Sequence, residues 1–215
     1  MKSDEAARVI ESLIRNLSHE LKNPLTTIKG YAQLLALKSG DPASVEKSHR
    51  MIQDQVDRID RMLQDLYAAF APRKPVSAGF DAAETLRELL SSFPEGVRAA
   101  AGHIPDTCPA AGDRGALVEI VNLIVRGFDW GGLSGAGCTL GMSEPGGRAV
   151  IDICFEGVDM PEISEPEFYL PFALKKYYLK GTEPYEAFFI ALACGWDITP
   201  LKTDGDPRKG FRIWL

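Results

Sequence analysis

The chain has 215 residues, 45% of them apolar, with a formal net charge of −6. That length can bury one large core or two small ones, the composition of an ordinary globular chain. An acidic balance without any run of Lys or Arg argues against a nucleic-acid groove or an anionic membrane surface as the partner.

The opening MKSDEAARVIESLIRNLSHEL mixes charges of both signs with its apolar residues, unlike the unbroken apolar core of a signal peptide, and no later stretch approaches a membrane span. Between residues 5 and 37, Ile10, Leu13, Leu17, Leu21, Leu25, Ile28, Tyr31 and Leu35 recur in steps of three and four, which predicts one long amphipathic helix. SGDPAS at 39–44 clusters turn residues, after which Val45, His49, Ile52, Val56, Ile59, Leu63, Leu66 and Phe70 set up a second helical stripe. Two such helices joined by a short turn make an antiparallel hairpin. Each stripe is too long to be buried within one hairpin, so a homodimer is expected, forming a four-helix bundle.

APRKPVSAG at 71–79 carries two prolines and no periodicity, as a linker does. The expected division is therefore a helical domain at 1–71, a linker at 72–77 and a second domain at 78–215. Helical patterns recur there at 81–93, 115–128 and 184–195, with strand-like segments at 148–157 and at the closing GFRIWL; this alternation predicts an α/β sandwich. Cys108, Cys138, Cys154 and Cys194 lie far apart without CxxC or metal-ligand spacing, which predicts reduced thiols and a cytoplasmic location.

Within the first helix, turning 100° per residue from Leu17 places His19 on the water-facing side, beside Glu20 and one turn from Asn16 and Asn23. An imidazole is largely neutral near pH 7, as a nucleophile toward phosphorus must be. Glu20 can hold the second ring nitrogen and fix the tautomer. Pro24 removes a backbone donor at a cost of roughly 3 kcal/mol in a helix interior, which suggests a bend used when partners dock. His49 and His103 have no such surroundings.

The string Ser18-His19-Glu20-Leu21-Lys22-Asn23-Pro24-Leu25-Thr26 resembles the H-box of the dimerisation and phosphoacceptor domain of two-component sensor histidine kinases, although Leu17 stands where an aromatic residue is more common. The resemblance covers residues 5–71. It implies that His19 is the phosphoacceptor, that Glu20 and Asn23 match the acid and amide that position water during dephosphorylation, and that the partners are response-regulator receiver domains.

The later chain resembles the ATP-binding domain of that family more weakly, as a degenerate histidine-kinase-type ATPase sandwich. Asp113 through Ile124 is similar to the N-box, but the magnesium-holding asparagine falls at Arg126 or Gly127. The adenine motif becomes Phe155-Glu156-Gly157-Val158-Asp159, with Phe155 in place of the aspartate. The phosphate loop becomes Gly181-Thr182-Glu183-Pro184-Tyr185-Glu186, in which Glu183 and Glu186 repel phosphate and Pro184 deletes an amide donor.

The expected function is therefore a histidine phosphotransferase relaying phosphoryl groups between His19 and receiver aspartates without ATP. No tightly bound cofactor is expected, and Mg²⁺ would come from the receiver. The alternatives are an ATP-dependent sensor-type histidine autokinase and a non-catalytic receiver-docking or phosphatase module.

Overall fold

A computed structural model of the chain describes residues 3–38, 40–69, 76, 78–93, 99–132, 136–158, 160, 174, 176–201 and 209–215. The chain divides into two compact units, Met1–Ala71 and Pro72–Leu215. The first is a helical hairpin of α1 (Ser3–Leu37) and α2 (Pro42–Ala69).

Helix α1 runs unbroken through Pro24, whose ring is buried. The hydroxyls of Ser18, Thr26 and Thr27 stay compatible with the helix by donating back one turn, to the carbonyls of Ile14, Lys22 and Asn23. At the turn, Asp41 starts α2. Its carboxylate accepts from the Ala43 amide at 3.3 Å and the Ser44 hydroxyl at 2.5 Å, and Pro42 occupies the first helical position, where no amide is needed.

Met62, Leu66 and Ser48 are buried between the helices, while Leu17, Leu21, Ile28, Tyr31, Leu35, Ile52 and Ile59 are half-buried. Three positions of the predicted stripes face outward: Leu25 is 54% exposed, Val56 50% and Leu63 49%. His49 is also exposed, because Ser48 takes the inward position at that turn. A stripe broad enough to touch two neighbours has a flank that one neighbouring helix cannot cover.

The second unit is an α/β sandwich. Its strands are β1 (Ala78–Asp81), β2 (Ala99–Ala101), β3 (Pro109–Gly112), β4 (Gly137–Ser143), β5 (Val150–Glu156), β6 (Asp197–Leu201) and β7 (Lys209–Trp214). Its helices are α3 (Ala82–Ser92), α4 (Arg114–Arg126) and α5 (Glu183–Ala193). The main sheet has the order β2-β4-β5-β7-β6, with β2 parallel to β4 and the other pairs antiparallel; β1 and β3 form a separate ribbon.

Alternation along the strands sets the two faces of the sheet. Ile151, Ile153, Phe155, Phe211 and Ile213 join Leu86, Leu117, Ile120, Ile124 and Ile190 in one core under the helices. On the opposite face Arg212 grips Asp152 through two bonds of 2.7 and 2.8 Å, and the guanidinium groups of Arg148 and Arg212 both lie over the Trp214 ring. Strands β5 and β7 meet closely at Gly210, where an added Cβ would lie 1.8 Å from the Ile153 carbonyl oxygen.

Asp81 caps α3 by accepting from the Ala83 and Glu84 amides and also from the Cys108 amide beside β3. Asp113 does the same for α4, accepting from Ala116 and from the Val76 amide at 2.9 Å. Apart from Val76, the predicted linker lies outside the described residues. Strands β1 to β4 were not expected from the sequence.

Candidate functional site

His19 is exposed on the outer face of α1, on the side that the helical rotation from Leu17 predicts. Asn23 is exposed one turn further on. Between them the helix is chemically altered: Pro24 has no amide hydrogen, so the carbonyl four residues earlier, on Glu20, loses its intrahelical donor.

Glu20 itself is half-buried and turned toward the second helix. Its Oε2 lies 3.7 Å from Nη2 of Arg58, with 24% of the Glu20 side chain and 41% of the Arg58 side chain exposed. Helix α2 therefore adds a guanidinium to the imidazole, carboxylate and amide of α1. The sequence reading missed Arg58, since nothing in a linear pattern says which turn of α2 lies opposite His19 until the register of the hairpin is known.

The second group of predicted positions lies wholly in the second unit. Arg126 closes α4, donating to the Ser92 carbonyl at 2.8 Å and the Ser92 hydroxyl at 3.0 Å while its guanidinium covers the Phe93 ring. Phe155 points into the core. It stacks on Phe128 at 5.0 Å between ring centroids and meets Phe211 edge-on, and Trp130, Tyr177 and Tyr178 complete the aromatic cluster around Phe128. Asp159 lies outside the described residues.

Glu183 is the most informative of these positions. It is only 5% exposed, at the first turn of α5, and its two carboxylate oxygens accept from the amides of Lys180 at 3.1 Å and Gly181 at 2.9 Å. These two amides lie in the turn that leads into α5, so an internal anion already occupies the backbone donors just ahead of the helix. Gly127 packs directly on this side chain, for a Cβ there would come within 2.6 Å of Glu183 Cγ. The sequence reading treated Glu183 as a source of repulsion only; the structure gives it partners of its own.

The Asn122 side-chain oxygen and the Tyr178 hydroxyl are buried without a hydrogen-bond partner among the described residues. Burial and the nearby Glu183 carboxylate push the Tyr178 phenol well up, so it stays a neutral hydroxyl. One amide oxygen does not make the oxygen-rich ligand set that Mg²⁺ requires.

Residues 10–69 match the model of the His Kinase A (phospho-acceptor) domain. Among curated proteins, the chain is similar to the sensory histidine kinase/phosphatase NtrB of Escherichia coli O157:H7, at 32% identity over 116 residues, 53% of this chain and 33% of that protein. The NtrB of Azospirillum brasilense is 31% identical over 125 residues, 55% of this chain and 30% of that protein. The chain thus spans about a third of the length of these relatives.

Among solved structures, histidine kinase ThkA in complex with response regulator protein TrrA aligns with 99% of this chain and 63% of its own at a TM-score of 0.58 and 16% identity. The Acinetobacter baumannii histidine kinase AdeS aligns with 92% of this chain and 96% of its own at 0.53 and 17%. The two-unit fold is that of histidine kinases, as the sequence led us to expect. The relatives are kinase/phosphatases, so the comparisons favour the sensor-type alternative over an ATP-free relay. Among the described residues, no helix is long and apolar enough to cross a membrane.

Proposed function

We propose that this chain is a two-component phosphoacceptor protein in which His19 exchanges phosphoryl groups with the aspartate of a response-regulator receiver. The observation that carries this reading is an exposed imidazole, flanked by Glu20 and Asn23, within the stretch that matches a phospho-acceptor domain. In the exchange a lone pair on an imidazole nitrogen forms the N–P bond as the P–O bond to the receiver aspartate breaks, and the leaving electron pair stays on the aspartate carboxylate. The receiver brings the Mg²⁺ that offsets charge on the moving oxygens. Glu20 orients the ring and Asn23 orients water when the aspartyl phosphate is hydrolysed, the phosphatase half of the activity named for the NtrB relatives.

The origin of the phosphoryl group separates two readings. Similarity to the NtrB kinase/phosphatases favours a sensor-type kinase that draws it from ATP. The seating of Glu183 favours a receiver as the source, because a nucleotide phosphate brought to the turn before α5 would meet a buried carboxylate already bonded to the Lys180 and Gly181 amides. We adopt the second, with the family's ATP step lost from this chain.

Purified protein incubated with phosphorylated receivers and Mg²⁺ should become labelled, and His19→Ala should remain unlabelled while keeping its far-ultraviolet circular dichroism. Labelling from radioactive ATP alone would restore the autokinase reading. Label that persists in His19→Ala would remove His19 from the site.

A further inference from the structure

We propose that Arg58 is a positioning residue for phosphoryl exchange at His19, acting by neutralising the adjacent Glu20 carboxylate. The inference rests on the reading of His19 as phosphoacceptor and extends the site to the second helix. Glu20 follows His19 directly in α1, so a phosphoryl group arriving at the imidazole comes near an anionic carboxylate. A phosphoryl group carries nearly two negative charges, and at about 6 Å across water at low ionic strength such repulsion slows approach by roughly five- to tenfold. Arg58 stands 3.7 Å from that carboxylate and brings its positive guanidinium to it.

The other arginines of α2 are used differently. Arg50 pairs with Glu46, and Arg61 bonds the carbonyl of Asp57, both within the helix itself. Arg58 instead reaches across the hairpin to the residue beside His19. A partly exposed ion pair of this length contributes little to folding. Its effect on the charge beside the imidazole is larger, because that charge is met by the incoming phosphoryl group at each turnover. The same carboxylate is held toward α2, which leaves the outer face of His19 open to a partner.

The test measures the rate of His19 labelling in the full chain, with a phosphorylated receiver and separately with phosphoramidate, a small donor that needs no protein partner. Arg58→Ala should slow labelling roughly five- to tenfold with either donor, Arg58→Lys should recover most of the rate, and the deficit should shrink at high ionic strength. In a Glu20→Gln background, where the carboxylate charge is gone, adding Arg58→Ala should change the rate by less than about twofold. The thermal midpoint should stay unchanged in Arg58→Ala.

Wild-type rates in Arg58→Ala would overturn the proposal. So would equal slowing by Ala and Lys with a lowered thermal midpoint, or an undiminished effect of Arg58→Ala in the Glu20→Gln background. Slowing with the receiver but not with phosphoramidate would also overturn it, assigning Arg58 to receiver docking. If phosphoramidate labels His19 and no receiver does, the functional reading fails while the comparison of Arg58 variants still decides this one.

Discussion

Glu20 and Asn23 lie on the same helix as His19, and their removal should separate two chemistries. Glu20→Gln is expected to slow labelling of His19 without abolishing it, since the carboxylate supports the transfer but does not itself accept the phosphoryl group. Asn23→Ala should affect hydrolysis of a receiver's aspartyl phosphate more than transfer to His19; release of inorganic phosphate and phosphohistidine formation, measured on the same samples, check both. Two other carboxylates govern the acid behaviour of the second unit. The Cys108 and Glu84 amides hold Asp81, and the Val76 and Ala116 amides hold Asp113, below their ordinary value of 3.8. Because both are depressed on folding, the stability they supply is complete above 3.8 and is lost as pH falls through their lower folded values. Asp81→Asn with Asp113→Asn should therefore lower the thermal midpoint at neutral pH, with the difference from wild type shrinking as pH falls below 3.8.

At the scale of elements, the outward flank of the hairpin makes a prediction of its own. Leu63 is 49% exposed and Leu66 only 7%, although both lie on the same predicted stripe. If a second hairpin covers the flank, Leu63→Asp should yield a folded monomer, whereas Leu66→Asp should unfold the hairpin; sedimentation and circular dichroism distinguish the two outcomes. The long helices were legible because α1 and α2 repeat their apolar steps over many turns, and the side chain of His19 was placed correctly by rotation alone. Strands β1, β2 and β3 read AGFD, AAA and PAAG, short and poor in β-branched residues, so their pairing is set by neighbours and not by intrinsic preference. Within β4, Gly137 and Gly141 interrupt the strand signal in the same way. Of the candidate sites, residues on one helix could be read from spacing, but the place of Arg58 depends on the reversal between α1 and α2, and the bonds from Glu183 to the Lys180 and Gly181 amides depend on a local turn conformation that residue type alone does not encode.

On the scale of the whole molecule, the two units draw their stability from different sources. The second has a continuous core of its own, while the hairpin leaves Ile14, Leu25, Leu34, Val56, Leu63 and Tyr67 exposed. Calorimetry should therefore resolve two transitions, of which the hairpin's moves upward with protein concentration and the other stays fixed, because only the former is coupled to association. A single transition independent of concentration would argue against a dimer held by the hairpin. The second unit also contains its own reporter of local opening. Cys108 and Cys138 are 0% and 1% exposed, and burial, reinforced by Glu144 for the first and Glu156 for the second, pushes both thiols up to about 12. Neither can present a thiolate to an alkylating reagent while the sandwich is closed. Slow alkylation at these two positions would thus time the breathing of two parts of the unit, the β3 border and the start of β4, without a probe being introduced.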